Sequence, residues 1–364
     1  MRQGIRKFSS VAPHKSYKPA FGTGGRSSVS GINATVFGGS GFCGRYVMNE
    51  LGACGSRVYF PYRGCELEVR HVKPAFDLGM LGYKPFSPRD EESIVDSLKS
   101  SDTVINMIGK HYETKHLVPT RRANGKLSNI NYNFDEVHVE IPRRLARLAR
   151  EAGAETFIHM SALSADLESD SNWCRTKALG EIAVREEFPD AIIVKPATVF
   201  GFEDRFLNWI AEANKRLPFM PLLDNGRALV QPVYCVDIAK AMMVLVRNAD
   251  MFKGKSVQLC GPAEYTYKEV IEFVSDVTTV KKPMIDVPVK IAKFAGRFIQ
   301  ETPAPFLTED MVTQMLEDNV ALPDPKLITF KNLGIEPVSM DKVAFDYLHR
   351  FRPGGHFTKV EGYY

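Results

Sequence analysis

The stretch Ile32-Asn33-Ala34-Thr35-Val36-Phe37-Gly38-Gly39-Ser40-Gly41-Phe42-Cys43-Gly44-Arg45-Tyr46-Val47-Met48-Asn49-Glu50-Leu51 decides the fold. It opens on a short β-prone run, Ile32 to Phe37, breaks at a glycine turn, and resumes in a helical pattern from Arg45 to Leu51. The spacing Gly38, Gly41, Gly44 suits a dinucleotide. Glycine permits the tight turn, lets a backbone N–H approach a pyrophosphate, and allows the helix to pack close on the strand. The positive end of the helix then faces the phosphates.

A second strand, Ser56 to Tyr62, ends at Arg63, about 20 residues past the turn, where an NAD site carries Asp or Glu for the ribose 2′-hydroxyl. A guanidinium pairs instead with a 2′-phosphate, so Arg63 points to NADP(H). The plainer alternative is a solvated arginine at a strand end.

Further β-like runs follow at Ala75 to Leu78, Thr103 to Ile108, Thr156 to Met160 and Ala191 to Lys195. Between them lie helical segments at Asp90 to Lys99, Asp135 to Glu151 and Lys177 to Glu181, and the last strand leads into the turn Pro196 to Gly201. Strands alternating with helices imply an α/β fold with a doubly wound parallel sheet, a Rossmann arrangement. Beyond Gly201 the pattern is mixed, with helices at Leu207 to Arg216 and Val236 to Asn248 and strands at Ala228 to Tyr234 and Lys255 to Cys260. Proline-marked segments follow, from Pro283 through Pro303 and Pro305 to Pro323 and Pro325. The expected organisation is a basic N-terminus over 1–28, a nucleotide-binding domain over 29–200, and a smaller C-terminal lobe over 201–364, partly interleaved with the sheet.

With 364 residues, 44% hydrophobic and 25% charged, the chain can bury a sizeable core and is neither fibrous nor disordered. Its longest apolar runs, such as Ala241 to Val246, fall far short of the roughly 20 residues that a membrane-spanning helix needs. The six cysteines are scattered without a C-x-x-C pair, and the histidines show no zinc spacing, so six free thiols and no metal are expected. That pattern suits a reducing compartment. No acidic residue precedes Glu50, whereas Arg2, Arg6, Lys7, Lys15, Lys18, Arg26 and Arg45 do, among several serines. This is the composition of a mitochondrial transit peptide, with Arg6-Lys7-Phe8-Ser9 resembling a matrix-protease site cut after Phe8. Removing Arg2, Arg6 and Lys7 lowers the formal net charge from +4 to +1, which is no footprint for nucleic acid. A basic tail that targets nothing is the bland alternative.

Through Gly38-x-x-Gly41-x-x-Gly44, Asp77-Leu78, Asn106-x-x-Gly109, Lys177 and Pro196 the chain resembles the extended and atypical short-chain dehydrogenase/reductase superfamily. Gly24 to Ser28, Ala34 to Gly38, Gly44 to Val47, Pro61 to Gly64, Glu203 to Phe206 and Gln231 to Tyr234 resemble one branch of it. That branch is the NADPH-binding accessory subunits of mitochondrial respiratory complex I, NADH:ubiquinone oxidoreductase. The likeness runs from about Gly24 to about Gly261 and thins beyond. It implies NADPH as cofactor, held by Gly38, Ser40, Gly41, Phe42, Cys43, Gly44, Arg63, Asp77, Leu78, Asn106, Gly109, Ser161, Lys177 and Pro196. It also implies other complex I subunits as partners, at the matrix side of the inner membrane.

The superfamily's chemistry needs a Tyr-x-x-x-Lys pair one helical turn apart, the ammonium lowering the phenol's pKa for proton exchange with substrate. Here the sequence reads Trp173-Cys174-Arg175-Thr176-Lys177. An indole N–H only donates and does not titrate in the useful range. The superfamily's serine falls at Ala162, with Ser161 or Ser164 as substitutes, and its relay asparagine at His138. Three departures argue against the usual hydride chemistry, while Lys177 can still bond the nicotinamide ribose or be a plain surface lysine. The expectation is a non-catalytic subunit that keeps NADPH for stability or assembly; the alternatives are an active NADP(H)-dependent reductase, epimerase or isomerase, and a free redox sensor.

Two features suggest surfaces. Arg143, Arg147 and Arg150 share one helix face, most simply a solvated one. From Pro288 to Gln300, Val289, Ile291, Phe294, Phe298 and Ile299 form an apolar sector beside Lys290, Lys293 and Arg297, compatible with packing on a core or lying on a membrane.

Overall fold

The computed structural model describes residues 24–113, 118–121, 127–302, 305–324 and 326–353. Residues 1–23 of the expected transit peptide and basic N-terminus over 1–28, with the cut after Phe8, and Pro303 and Pro325 lie outside the described residues. Seven parallel strands form the central sheet: β1 (Asn33–Phe37), β2 (Arg57–Tyr62), β3 (Leu81–Pro85), β4 (Thr103–Asn106), β5 (Thr156–Met160), β6 (Ile192–Pro196) and β7 (Ser256–Leu259). Their order is β7-β6-β5-β4-β1-β2-β3, so the winding reverses between β1 and β4. At that reversal the two following loops diverge and open a crevice at the carboxyl edge, where such sheets bind ligands.

Successive side chains of a strand face opposite layers, which is why the central strands are apolar at most positions on both faces, with Thr35, Asn106 and His159 as buried polar exceptions. Val36, Ile105, Ile158 and Val194 enter one core, with α1 (Phe42–Ala53) and the later helix Cys235–Arg247 packed over them. Phe37, Val104, Phe157 and Ile193 enter the other, covered by α2 (Glu91–Leu98), α3 (Ile141–Glu151) and α4 (Asn172–Glu187). Phe157 is fully buried, and truncating it to Ala costs about 3–5 kcal/mol. A third core, around Phe200, Leu207, Ile210, Val270 and Tyr347, belongs to α5 (Leu207–Arg216) and its neighbours after Gly201. With α6 (Cys235–Arg247) on the sheet, the remaining main helices are α7 (Tyr267–Thr278), α8 (Val289–Ile299), α9 (Glu309–Gln314) and α10 (Met340–Leu348). β7, although late in the chain, pairs with β6 from Ser256↔Ile193 to Leu259↔Pro196.

The structure departs from the sequence expectation at three places. Ala75 to Leu78 is not a strand. A 3-10 helix runs Arg70–Ala75 and contains Pro74; then the Asp77 carboxylate accepts the Leu78 N–H at 2.8 Å and Gly79 takes φ +77. Turn chemistry wins over β-propensity, and the strand comes later, at β3. Ala228 to Tyr234 splits into Leu229–Val230, antiparallel to Tyr265–Thr266, and Val233–Tyr234, parallel to Val199–Phe200. Pro232 has no N–H to continue a single ladder. Asp135 to Glu151 begins with a π turn, Glu136–Glu140, before α3. Pro142 lacks the N–H that an α-helical ladder would give His138's carbonyl, and the pairing steps out to Ile141 N–H on Glu136.

The apolar sector of α8 is divided: Ala292 and Gly296 are buried, whereas Ile291, Phe294 and Phe298 stand exposed. Val289 and Ile299 are half-buried, so packing on the chain itself accounts for the two ends of the sector and not for Ile291, Phe294 and Phe298. Among the described residues no helix is long and apolar enough to cross a membrane.

Candidate nucleotide site

The glycine turn joins β1 to α1 at the switch point. Gly38 has φ +83, and a Cβ there would lie 2.7 Å from the Met107 carbonyl carbon at the end of β4. A Cβ on Gly44 would lie 2.3 Å from the Gly38 carbonyl oxygen. These two glycines hold α1 against the turn. Ser40 and Gly41 are exposed, and Gly41, the N-cap, offers no side chain to bond the first-turn N–H groups. An uncapped N-terminus with its dipole directed to solvent is a fitting seat for a pyrophosphate. Phe42 turns aside to Gly201, where a Cβ would meet its ring at 3.1 Å, and burial pushes the Cys43 thiol up to about 12. Both shape the floor of the turn.

Arg63 follows β2 at the same edge of the sheet. Its guanidinium sits 5.3 Å from the Tyr132 ring centroid, and that of Arg89 sits 4.7 Å from the same centroid. Arg89 is paired with Glu136 at 2.6 Å, whereas Arg63 has no carboxylate partner among the described residues. A stacked guanidinium without a counter-ion is preorganised for a phosphate. Asp77 and Leu78 are elsewhere. They precede β3, whose first residue Leu81 pairs with Val58 near the start of β2, so they lie at the opposite edge from Gly38. Leu78 is 94% exposed and Asp77 is spent on its own turn, and both are withdrawn from the cofactor set.

The second half of the set converges from β4, β5 and α4. Asn106 is fully buried, its amide taken by Ile108 N–H at 3.1 Å and by His159 Nδ1 at 3.1 Å, so it orders the loop to Gly109 rather than facing a ligand. A Cβ on Gly109 would lie 3.5 Å from the Lys177 ammonium. Lys177 is buried, 3.5 Å from the Met160 carbonyl and 5.7 Å from the Trp173 ring centroid. Burial pulls its pKa down to about 8, against the opposing pull of Glu181. Ser161 donates to Glu181 at 2.6 Å, and Glu181 also pairs with Lys195 at 2.7 Å. That hydroxyl is committed inside the protein, and neighbouring Ala162 offers none. Pro196 closes β6, its carbonyl accepting Leu163 N–H at 2.9 Å.

Trp173 is also committed. Its indole N–H donates to the Lys110 carbonyl at 2.8 Å. His138 Nε2 accepts Lys110 N–H at 3.3 Å, which leaves the proton on Nδ1 to donate to Thr176 Oγ1 at 3.0 Å, while Thr176 donates to the Trp173 carbonyl at 3.1 Å. Burial drives His138 down to about 2, so it is a neutral structural link. The close approach of α4 to the π turn depends on Gly180, where a Cβ would lie 2.0 Å from the His138 carbonyl oxygen.

Sequence reasoning missed three contributors. Lys110 donates its ammonium to the Tyr132 carbonyl at 2.8 Å and presents its own carbonyl to Trp173. His111 stacks on Trp173 at 6.5 Å. Asp310, in α9, accepts the Asn172 N–H at 2.7 Å and Ser171 Oγ at 3.1 Å, capping α4 from the C-terminal lobe. Only the Ser171 N-cap had a local signal. Among the described residues no cluster of three metal-type ligands occurs.

A switch-point glycine turn, an uncapped helix end and a lysine of the Tyr-x-x-x-Lys position define a dinucleotide-binding protein of the short-chain dehydrogenase type. The chain belongs to the NAD dependent epimerase/dehydratase family, whose model matches residues 34–260. Within it, the chain belongs with the mitochondrial NADH dehydrogenase subunits. It is 36% identical to mouse (Mus musculus) "NADH dehydrogenase (ubiquinone) 1 alpha subcomplex subunit 9, mitochondrial" over 344 residues, covering 94% of this chain and 84% of the relative. To the "NADH-ubiquinone oxidoreductase 40 kDa subunit, mitochondrial" of Neurospora crassa it is 34% identical, covering 97% and 88%. The fold is shared with dTDP-glucose 4,6-dehydratase DesIV of Streptomyces venezuelae, solved with NAD and TYD bound, at a TM-score of 0.63 and 15% identity over 88% of this chain and 96% of that one.

Proposed function

We propose that the chain is a non-catalytic accessory subunit of mitochondrial complex I that holds NADPH as a structural cofactor. The observation that carries this reading is Trp173: where the family's tyrosine would stand, an indole N–H is already spent on the Lys110 carbonyl. Among the described residues no tyrosine hydroxyl bonds Lys177, whose ammonium contacts the Met160 carbonyl and the Trp173 ring. The nucleotide's pyrophosphate sits on the Gly38–Gly44 turn, Arg63 takes the 2′-phosphate, and Lys177 bonds the ribose. When bound, such a nucleotide supplies a hydride; in this reading the chain's residues only hold it. The nucleotide-binding domain spans 29–200 and the lobe 201–364, after a transit peptide within 1–28.

The relatives' names support a place among other complex I subunits in mitochondria. Peripheral contact with the matrix face of the inner membrane fits α8, where Ile291, Phe294 and Phe298 are exposed beside Lys290, Lys293 and Arg297. The rival reading is an active NADP(H)-dependent reductase or epimerase. The test is NADPH-linked turnover of carbonyl and alcohol substrates by the purified chain, where background rates are expected. Robust turnover that disappears in Lys177→Met would give the site to the rival.

A further inference from the structure

A cavity of about 720 Å³, open to the surface, lies between α5, α8 and α9 with Tyr112 also on its wall, within the roughly 300–1,000 Å³ range of small-molecule sites. Close packing rarely leaves an apolar space of this size, and water gains few hydrogen bonds against its walls, so an apolar ligand is favoured there. Its walls are apolar: Met220, Leu222, Ile271 and Val312 are buried side chains of that wall. Met311 and Met315 add flexible thioethers that adapt to a ligand's shape. At the rim stand Ile291 and Phe306, 59% and 60% exposed, so an apolar path leads in from the surface.

Most of the polar lining is already used by the protein. Asp204 accepts N–H groups from Gly201, Phe206 and Asn208 and the Tyr347 hydroxyl. Asn208 is bonded to Arg350 and to the Phe202 carbonyl, and Glu212 pairs with Arg216. Arg205 differs. It lines the cavity from an exposed position and forms no hydrogen bond or ion pair among the described residues. Its charge acts on His111, the ring stacked on Trp173, which puts the cationic part of the cavity beside the Trp173 end of the nucleotide cleft. One unpaired cation beside a mostly apolar wall, whose Asp204, Asn208 and Glu212 are already paired, matches a ligand with one charge and one apolar chain.

We infer that this cavity binds a single-chain anionic amphiphile, its headgroup at Arg205 and its chain among Met220, Leu222, Val312 and Met315. A fatty carboxylate and a lysophospholipid share this chemistry. The inference does not depend on the nucleotide site.

The experiment titrates the purified full chain with carboxylates of eight to eighteen carbons below their micellar concentrations, with the matching alcohols, and with lysophosphatidate of equal chain length. Affinity should rise by roughly fourfold per added methylene until the cavity is full, then level off. The alcohols should bind roughly tenfold more weakly, and Arg205→Gln should erase that difference while keeping the chain-length dependence. Ala295→Trp, filling the cavity from α8, should abolish binding of every probe. Both variants should keep the wild-type circular dichroism spectrum and cooperative melting, which shows that they are folded; absence of a thermal shift with NADPH in wild type would fault the nucleotide reading and leave this one standing. Tighter binding of the carboxylate identifies a free fatty acid, and tighter binding of lysophosphatidate a membrane-derived lipid. Affinity independent of chain length, or binding that survives Ala295→Trp, would overturn the cavity assignment. An unchanged acid-over-alcohol preference in Arg205→Gln would overturn the headgroup assignment.

Discussion

Replacing Gly44 with Ala sets two known effects against each other. In a helix, Ala is favoured over Gly by about 1 kcal/mol, so α1 alone would gain. The new Cβ, however, would lie 2.3 Å from the Gly38 carbonyl oxygen, 2.8 Å from Gly39 Cα and 2.9 Å from its carbonyl carbon. All three are backbone atoms, and no rotamer change relieves them. Overpacking of this kind costs about 1–3 kcal/mol, and with a backbone obstacle the upper half of that range applies. The net expectation is a loss of roughly 1–2 kcal/mol, with α1 pushed away from the turn. Displacement of the helix end should also remove the phosphate seat. At a hundredfold excess over Kd a ligand adds about 2.7 kcal/mol to stability, and the variant should lose most of that increment. Gly41→Ala is the control: its Cβ meets only the Gly38 oxygen at 3.2 Å, and φ −68 suits any residue. It should leave the nucleotide-free stability near wild type. Urea denaturation with and without NADPH measures both quantities. A Gly44→Ala protein as stable as wild type that keeps the full NADPH increment would refute the reasoning.

Arg63→Asp should weaken NADPH by about 1.5–3 kcal/mol for each lost charge-assisted bond and leave NADH much less affected; equal losses by calorimetry would remove Arg63 from the 2′-phosphate. Burial holds His138 down to about 2 and His159 down to about 3 in the folded state, against an ordinary value near 6.5. Below pH 6.5 the unfolded chain therefore binds protons that the folded chain refuses, and stability should fall on acidification, by up to about 1.4 kcal/mol per pH unit for each histidine. In His138→Gln that slope should be shallower by one proton, read from denaturant midpoints between pH 6.5 and 4.5; identical slopes would sink the assignment. Trp173→Phe should cost about 1 kcal/mol through the lost bond to Lys110 and leave NADPH affinity unchanged, as differential scanning with ligand will show.

The parallel sheet was legible because its strands are short apolar runs flanked by helical periodicity, and β1, β2, β5 and β6 fall within a residue or two of their expected places. The errors share a cause. At Ala75 to Leu78 and at Pro232, local turn and proline chemistry overrode β-propensity that a short window had read as strand. The Asp77-Leu78 motif alone suggests a place in the cofactor set, and only the register of β3 on β2 shows that it lies at the opposite edge from the glycine turn. The glycines and Lys177 carry their roles in their spacing. Asp310, by contrast, lies 137 residues from Trp173, whose N–H it accepts at 3.4 Å, and no local pattern announces such a contact. The cavity is equally non-local, because its walls come from segments between Tyr112 and Phe351.

The central claim is that this chain holds NADPH. Its most direct test is to denature the purified full-length protein and identify the released nucleotide by mass, with stoichiometry. The account predicts about one NADPH or NADP+ per chain, since a single glycine turn offers a single pyrophosphate seat. Release of NAD(H) alone, or of no nucleotide from protein whose melting temperature also ignores added NADPH, would contradict it.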